Sequence, residues 1–111
     1  MSDERTRRIG HNEALYRQVN EQIQEVNKGQ WAVKDEFRII CECGVLECMQ
    51  QIPVDVAVYE RTREDPNRFI VVPGHELEDV ETIVEPHEGY AVIEKIPPDA
   101  RRLAEDSSPR H

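Results

Sequence analysis

Three cysteines crowded into one short stretch constrain this chain more than any other feature. Cys41, Cys43 and Cys48 lie within eight residues, and they are the only cysteines among the 111 residues. An odd number of thiols cannot be paired completely by intramolecular disulfides. In a reducing compartment, clustered cysteines more often bind a metal or carry out redox chemistry. The cluster therefore predicts a metal site rather than a disulfide framework.

The spacing C-x-C-x4-C suits zinc. Structural zinc takes four ligands in a tetrahedron, and thiolate sulfur and imidazole nitrogen are its usual donors. Cys41 and Cys43 are two residues apart, so on a strand their side chains point the same way. Gly44 then permits a sharp turn that brings Cys48 back. Three sulfurs leave one coordination position for a fourth ligand.

We expect His75 to be that ligand. His111 lies in the expected tail, His11 on or near the first helix, and His87 at an expected hairpin tip. His75 instead follows Pro73-Gly74 directly after the apolar segment RFIVV. A Pro-Gly pair fixes a bend and lets the next side chain project from the end of the strand. Parallel pairing of RFIVV with the segment FRIIC would bring this histidine beside the cysteines.

Other interpretations of the same residues stay open. Cys41 can be a small buried apolar residue on a strand face, the thiols can be unrelated to one another, and His75 can be an ordinary turn residue. A redox role for Cys41 and Cys43 is disfavoured, because oxidoreductases use C-x-x-C on a strand-to-helix turn.

A closed set of four protein ligands predicts a structural zinc, since catalytic zinc keeps one position for water. Glu76 beside His75 would be the base of an open site. However, the segment HELED lacks the second histidine of H-E-x-x-H, and no P-C-x-x-C follows. We expect Glu42, which lies between two cysteines, to be exposed. The sequence therefore disfavours an enzyme.

The hydrophobic pattern predicts an α+β fold that begins with an amphipathic helix over residues 3–27, ended by Gly29. Its expected apolar stripe consists of Leu15, Val19, Ile23 and Val26. Its expected solvent face consists of Arg17, Glu21, Gln24 and Glu25.

The remaining elements are predicted to form a small sheet of three to four strands with one further helix. Residues 36–42 alternate Phe37, Ile39 and Cys41 on one face, which indicates a half-buried strand. The segment PVDVAVYERTRED favours a helix capped by Asp55, although its alternating valines also fit a strand. The segment RFIVV is expected to be a strand, and residues 80–85 and 90–94 a hairpin with Gly89 in its turn.

We expect three regions along the chain. These are an N-terminal helix and linker over 1–35, a small α+β zinc-binding domain over 36–96, and a disordered tail over 97–111. The tail is rich in proline, serine and charge and lacks apolar periodicity. Because only 38% of the residues are apolar and 5% aromatic, the core is modest, and a zinc staple would stabilise it.

The charge distribution limits the partners. The net charge of -9 arises in residues 36–111, which carry seventeen acidic and eight basic side chains. This surface repels a phosphate backbone, so general nucleic-acid binding is not expected. A protein partner is expected to contact the acidic segment 76–88 or the N-terminal helix. The chain has no apolar run near the roughly 20 residues of a membrane span and no signal-peptide core at its N-terminus, so we expect a cytoplasmic protein.

Four segments resemble a group of short actinobacterial proteins, and together they span roughly residues 12–95. They are NEALYRQVNEQI, CECGVLEC, YERTREDPNRFIVVPGHE and VETIVEPHEGYAVIEK. Members of that group typically carry a similar cysteine cluster and a later Pro-Gly-His-Glu, so the resemblance implies that His75 belongs with the cysteines. The sequence departs from the group at Pro53 and Val58, where a more polar helix start is expected. The resemblance implies no particular reaction.

We therefore expect a small structural-zinc protein that acts as a binding or regulatory module for another macromolecule. The alternatives are a zinc-dependent enzyme with an open three-cysteine site and a thiol redox sensor. The coordination of the metal distinguishes them, since only an enzyme needs an exchangeable oxygen ligand.

Overall fold

The computed structural model describes residues 2–27, 36–45, 47–77 and 79–110, and within them it contains three helices and five strands. In chain order these are α1 (Ser2–Asn27), β1 (Glu36–Ile40), β2 (Gln51–Asp55), α2 (Val56–Arg63), β3 (Arg68–Val71), β4 (Glu81–His87), β5 (Tyr90–Lys95) and α3 (Pro98–Asp106). The α+β class predicted from the sequence is confirmed. No helix in the described part of the chain has both the length and the apolar character needed to cross a membrane.

The strands form two antiparallel sheets instead of the single small sheet that was expected. Strand β1 pairs with β2, and β5 lies between β3 and β4. The predicted parallel pairing of β1 with β3 is therefore wrong. Antiparallel neighbours need only a short connection, whereas parallel neighbours need a crossover of about a dozen residues or more. The two sheets still touch, because the N–H of Glu42 donates to the carbonyl of Ile70 at 2.9 Å.

Both sheets bury their apolar side chains in one core. Phe37, Ile39 and Cys41 are 6%, 0% and 0% exposed, which confirms the predicted alternation. Strand β3 and its neighbour β5 supply the other side of the same core. Cys41 and Cys43 belong to this cluster, so the cysteine loop is continuous with the core of the protein.

The second helix begins at Val56 with Asp55 in the N-cap position, as predicted. Residues 51–55 ahead of it form a strand that pairs with β1, with Pro53 opposite Arg38. The ring of a proline is tolerated in an edge strand because its missing N–H can face solvent. The side chain of Asp55 makes no capping hydrogen bond, although Tyr59 and Arg63 on the inner face of α2 are buried.

The predicted hairpin is confirmed, with a tighter turn. Strand β4 continues through Pro86 and His87, so only Glu88 and Gly89 lie between the strands. Gly89 has φ of 90°, a backbone conformation that a side chain would strain.

Helix α1 presents a different face to the core from the one its apolar pattern indicated. Leu15 and Val26 are 51% and 79% exposed. Among the side chains of α1 that the structure describes, the buried ones are Ile9, Glu13, Tyr16, Arg17, Asn20 and Gln24. Arg17 and Gln24 were predicted to face solvent, and this is wrong because polar groups of other elements lie beneath the helix to receive them. The predicted end at Gly29 lies outside the described residues.

The predicted disordered tail instead contains helix α3. Pro98 occupies the first turn, where its missing N–H is not required, and Ala100 and Ala104 are buried. The guanidinium of Arg17 donates to the carbonyl of Ala104 at 2.9 Å and to that of Pro66 at 2.7 Å. Small buried side chains and the guanidinium of Arg17 hold this helix in place. The segment was predicted to be disordered because its apolar content is low.

Candidate metal centre

Two separate parts of the fold bring the four predicted ligands to one place. Cys41 and Cys43 directly follow β1, Cys48 lies on the connection to β2, and His75 lies on the connection from β3 to β4. One ligand atom from each residue lies within 4.8 Å of those of the other three. The convergence arises from contact between the two sheets and not from the parallel strand pair that the sequence suggested.

Two of the donor–donor distances in this cluster match the edges of a zinc tetrahedron. His75 Nδ1 lies 3.5 Å from Cys48 Sγ and 3.6 Å from Cys41 Sγ. With Zn–S of about 2.3 Å and Zn–N of about 2.0–2.1 Å, a tetrahedron has S···N edges of about 3.6 Å. The imidazole and two thiols are therefore already at the separation that one shared ion requires.

Backbone amides surround the sulfurs. The N–H of Val72 donates to Cys41 Sγ at 3.2 Å. The backbone amides of Val45 and Gln50 act to lower the pKa values of Cys43 and Cys48. Hydrogen bonds of this kind favour the charged thiolate over the thiol and orient it, as outer-shell contacts do in metal sites. The loop also closes on itself, because the N–H of Cys48 donates to the carbonyl of Val45 at 3.1 Å.

The pKa values of the three thiols are shifted in different directions. The hydrogen bond with Cys43, followed by burial, raises the pKa of Cys41, while the same hydrogen bond lowers the pKa of Cys43 to about 5. Burial raises the pKa of Cys48. Three sulfurs so close together repel one another when all are ionised, and a bound cation would remove that repulsion.

Helix α1 lies directly against the cysteine loop. A Cβ added at Gly44 would be 2.5 Å from Ile9 Cγ2, and Asn12 Nδ2 donates to the Gly44 carbonyl at 3.0 Å. Gly44 is therefore needed for close approach of the helix and has no positive φ. Among the described residues of this loop, Met49 has a left-handed backbone, with φ of 49°.

Glu42 was predicted to be exposed, and this is wrong, because its side chain is 0% exposed. Its Oε1 accepts from Arg63 Nη2 at 2.6 Å and from the N–H of Ile70 at 2.9 Å, and its Oε2 accepts from Asn20 Nδ2 at 2.7 Å. Burial opposes the charge of Arg63, yet attraction to Glu42 leaves the pKa of this guanidinium raised. The carboxylate thus joins α1, α2 and β3 immediately behind the cysteines.

A second buried ionic cluster, also missed from the sequence, fixes α1 on the hairpin. Lys95 Nζ lies 2.5 Å from Glu13 Oε1 and 2.8 Å from Glu81 Oε2, and all three side chains are at most 2% exposed. Burial raises the pKa of Glu13 well above its ordinary value, and the neighbouring carboxyl of Glu81 raises it further. Glu81 also accepts the N–H of Leu77 at 2.9 Å, which anchors the loop that carries His75.

The other candidates from the sequence lie elsewhere. His11 is exposed on α1, and His87 stacks on Tyr90 with its Nε2 3.0 Å from Glu85 Oε1, while His111 lies outside the described residues. Glu76 accepts the N–H of Gly74 at 3.0 Å, so its carboxylate is engaged with its own loop. Among the described candidates, neither His11, His87 nor Glu76 joins the three thiols.

No family model, curated protein or solved structure matches this chain. The resemblance to the actinobacterial group therefore stays a prediction, and the interpretation of the site depends on its geometry.

Proposed function

We propose that Cys41, Cys43, Cys48 and His75 bind one structural zinc ion. The observation that carries the proposal is the approach of four donor atoms to within 4.8 Å of one another. Three sulfurs and one nitrogen in tetrahedral arrangement are a donor set that zinc prefers and that magnesium and calcium, which need oxygen ligands, do not.

The donor set supports a closed site. His75 Nδ1 takes the fourth position, at distances that fit a tetrahedral edge from two sulfurs. Cys41 and Cys43 are 0% and 2% exposed, so two of the thiols are shielded from solvent. A catalytic zinc needs an open position for water or substrate, and four protein ligands leave none.

The ion would connect parts of the chain that the backbone leaves separate. Two ligands follow β1, one precedes β2, and one follows β3, so the metal would join the two-stranded sheet to the three-stranded sheet. A chain of this size with a modest core gains much from such a connection, because metal binding supplies free energy of folding.

We further propose that this zinc-stabilised fold acts as a binding module for another protein. A closed metal site carries out no reaction itself, and the net charge of -9 favours a basic protein surface over nucleic acid as the partner. Regulation of a macromolecule through such contact is the function that these features support best.

Metal analysis of purified variants tests the site. Wild-type protein should contain about one zinc ion per chain, while Cys48→Ser and His75→Ala should lose or weaken binding and unfold at lower temperature. His11→Ala is the matched histidine control and should retain its zinc, because His11 is exposed on α1. A wild-type protein that folds fully without metal would refute the proposal. Unchanged zinc in His75→Ala would refute only the fourth ligand.

A further inference from the structure

A groove lies beside the candidate metal centre and includes two of its ligands in its wall. Its volume is about 430 Å³, within the range of about 300–1,000 Å³ that is usual for ligand sites. The lining is mostly apolar, and it includes Val45, Glu47, Cys48, His75, Glu76 and Leu77. The groove therefore lies between the cysteine loop and the loop that carries His75.

The apolar part of this groove is open to a ligand. Val45 is 51% exposed, and it lies with Leu77 on the lining. Burying an exposed apolar side chain of this kind against a partner stabilises the complex. The metal would hold Cys48 and His75 in place, and an imidazole that binds metal through Nδ1 carries its proton on Nε2, where it can donate to a carbonyl.

The charge on the groove selects the partner. Its lining includes the carboxylates of Glu47 and Glu76 and, among the described residues, no lysine or arginine. Phosphates and other anions would be repelled. A segment that fills the groove must therefore combine an apolar side chain with positive charge on either side, which is the usual division between an anchor and a polar rim.

We propose that this groove binds a short basic segment of a partner protein, with one apolar side chain against Val45 and Leu77 and flanking Lys or Arg side chains paired with Glu47 and Glu76. The inference rests on the proposed metal centre, because Cys48 and His75 form part of the wall. It names the surface through which the proposed binding module acts.

Peptide titration of the zinc-loaded full chain tests the groove. The probes are acetylated hexapeptides with one leucine flanked by lysines and arginines, compared with peptides in which the leucine is glycine or the cations are glutamates. Fluorescence anisotropy measures affinity, and NMR locates the contact. The basic leucine peptides should shift the amides of Val45, Cys48 and Leu77 and bind more weakly as ionic strength rises from about 0.05 M to about 0.5 M. The two control sets should not bind.

Charge-reversal variants separate this inference from the metal proposal. Glu47→Lys and Glu76→Lys should retain wild-type zinc content and each weaken the peptide complex at least about tenfold. Glu88→Lys, an exposed acidic position on the hairpin turn, is the matched control and should bind as wild type does. Zinc-loaded protein that shows no peptide shifts, or groove variants that bind unchanged, would overturn the groove alone. A wild-type protein without zinc would overturn the metal centre, which is measured before any peptide is added.

Discussion

Replacing Glu42 by glutamine should destabilise the protein severely, although the side chain keeps its size. The carboxylate is 0% exposed and lies 2.6 Å from the guanidinium of Arg63, which is 2% exposed. It also accepts from Ile70 N–H and from Asn20 Nδ2. Glutamine has only one acceptor oxygen, so its NH2 group must face one of these donors. The charge of Arg63 would at the same time lose its partner.

The size of the effect follows from burial. Removing one partner of a buried ion pair costs about 3–5 kcal/mol, because the remaining charge is left uncompensated. A lost buried hydrogen bond costs about 1–3 kcal/mol and overlaps with that figure. We expect a loss of about 3–5 kcal/mol, a large fraction of the roughly 5–15 kcal/mol that stabilises a domain. At about 4 °C per kcal/mol, Tm should fall by roughly 12–20 °C.

Urea unfolding followed by circular dichroism measures this loss. Glu47→Gln, an exposed acid in the same loop, is the matched control and should change the free energy of unfolding by at most about 0.5 kcal/mol. In the double variant Glu42→Gln/Arg63→Met, the second substitution removes the orphaned charge. The double variant should therefore lose less than the sum of the two single variants.

Either of two results would refute this reasoning about Glu42. A loss below about 1 kcal/mol would mean that the carboxylate does not compensate a buried charge. Strictly additive losses in the double variant would mean that Glu42 and Arg63 do not interact energetically.

Three further predictions concern packing, pH and metal. Gly44→Ala should lower stability by about 1–3 kcal/mol in thermal unfolding, since its Cβ meets Ile9, while Gly10→Ala should be milder because it meets only the end of the flexible Leu103 side chain. Burial raises the pKa of Glu13 above its ordinary value of 4.5, so the contribution of this group to stability should fall as pH rises from about 5 to about 8; urea unfolding over this range should show Glu13→Gln gaining stability relative to wild type, and a constant difference would contradict this. Removal of the ion by a chelator should lower Tm, and readdition of zinc but not magnesium should restore it.

The candidate site could be predicted from the sequence because its chemistry is local. Cys41, Cys43 and Cys48 are close in sequence, and donor counting required one more ligand. Pro73-Gly74 marked a bend that could project His75. The way in which His75 comes to lie beside the cysteines could not be predicted. It depends on contact between two sheets whose pairing is set by residues far apart in the chain.

The buried polar contacts could not be predicted either, because they also join residues that are far apart in the chain. Glu42 is 21 residues from Arg63 and 28 from Ile70, and Arg17 reaches Ala104 across 87 residues. The polar face of α1 was therefore predicted to contact solvent, although in the fold it contacts residues that are distant in the chain. The apolar stripe containing Leu15 was predicted to face the core. Hydrophobic periodicity shows that a helix is amphipathic, but it does not show which elements each face contacts.

X-ray absorption at the zinc edge of the purified protein tests directly whether the metal site is closed. We expect three sulfur ligands at about 2.3 Å and one nitrogen ligand at about 2.0–2.1 Å, with no oxygen in the inner shell. In His75→Ala the nitrogen should disappear from any metal that remains. A wild-type spectrum with three sulfurs and one exchangeable oxygen, or with fewer than three sulfurs, would contradict the closed structural site.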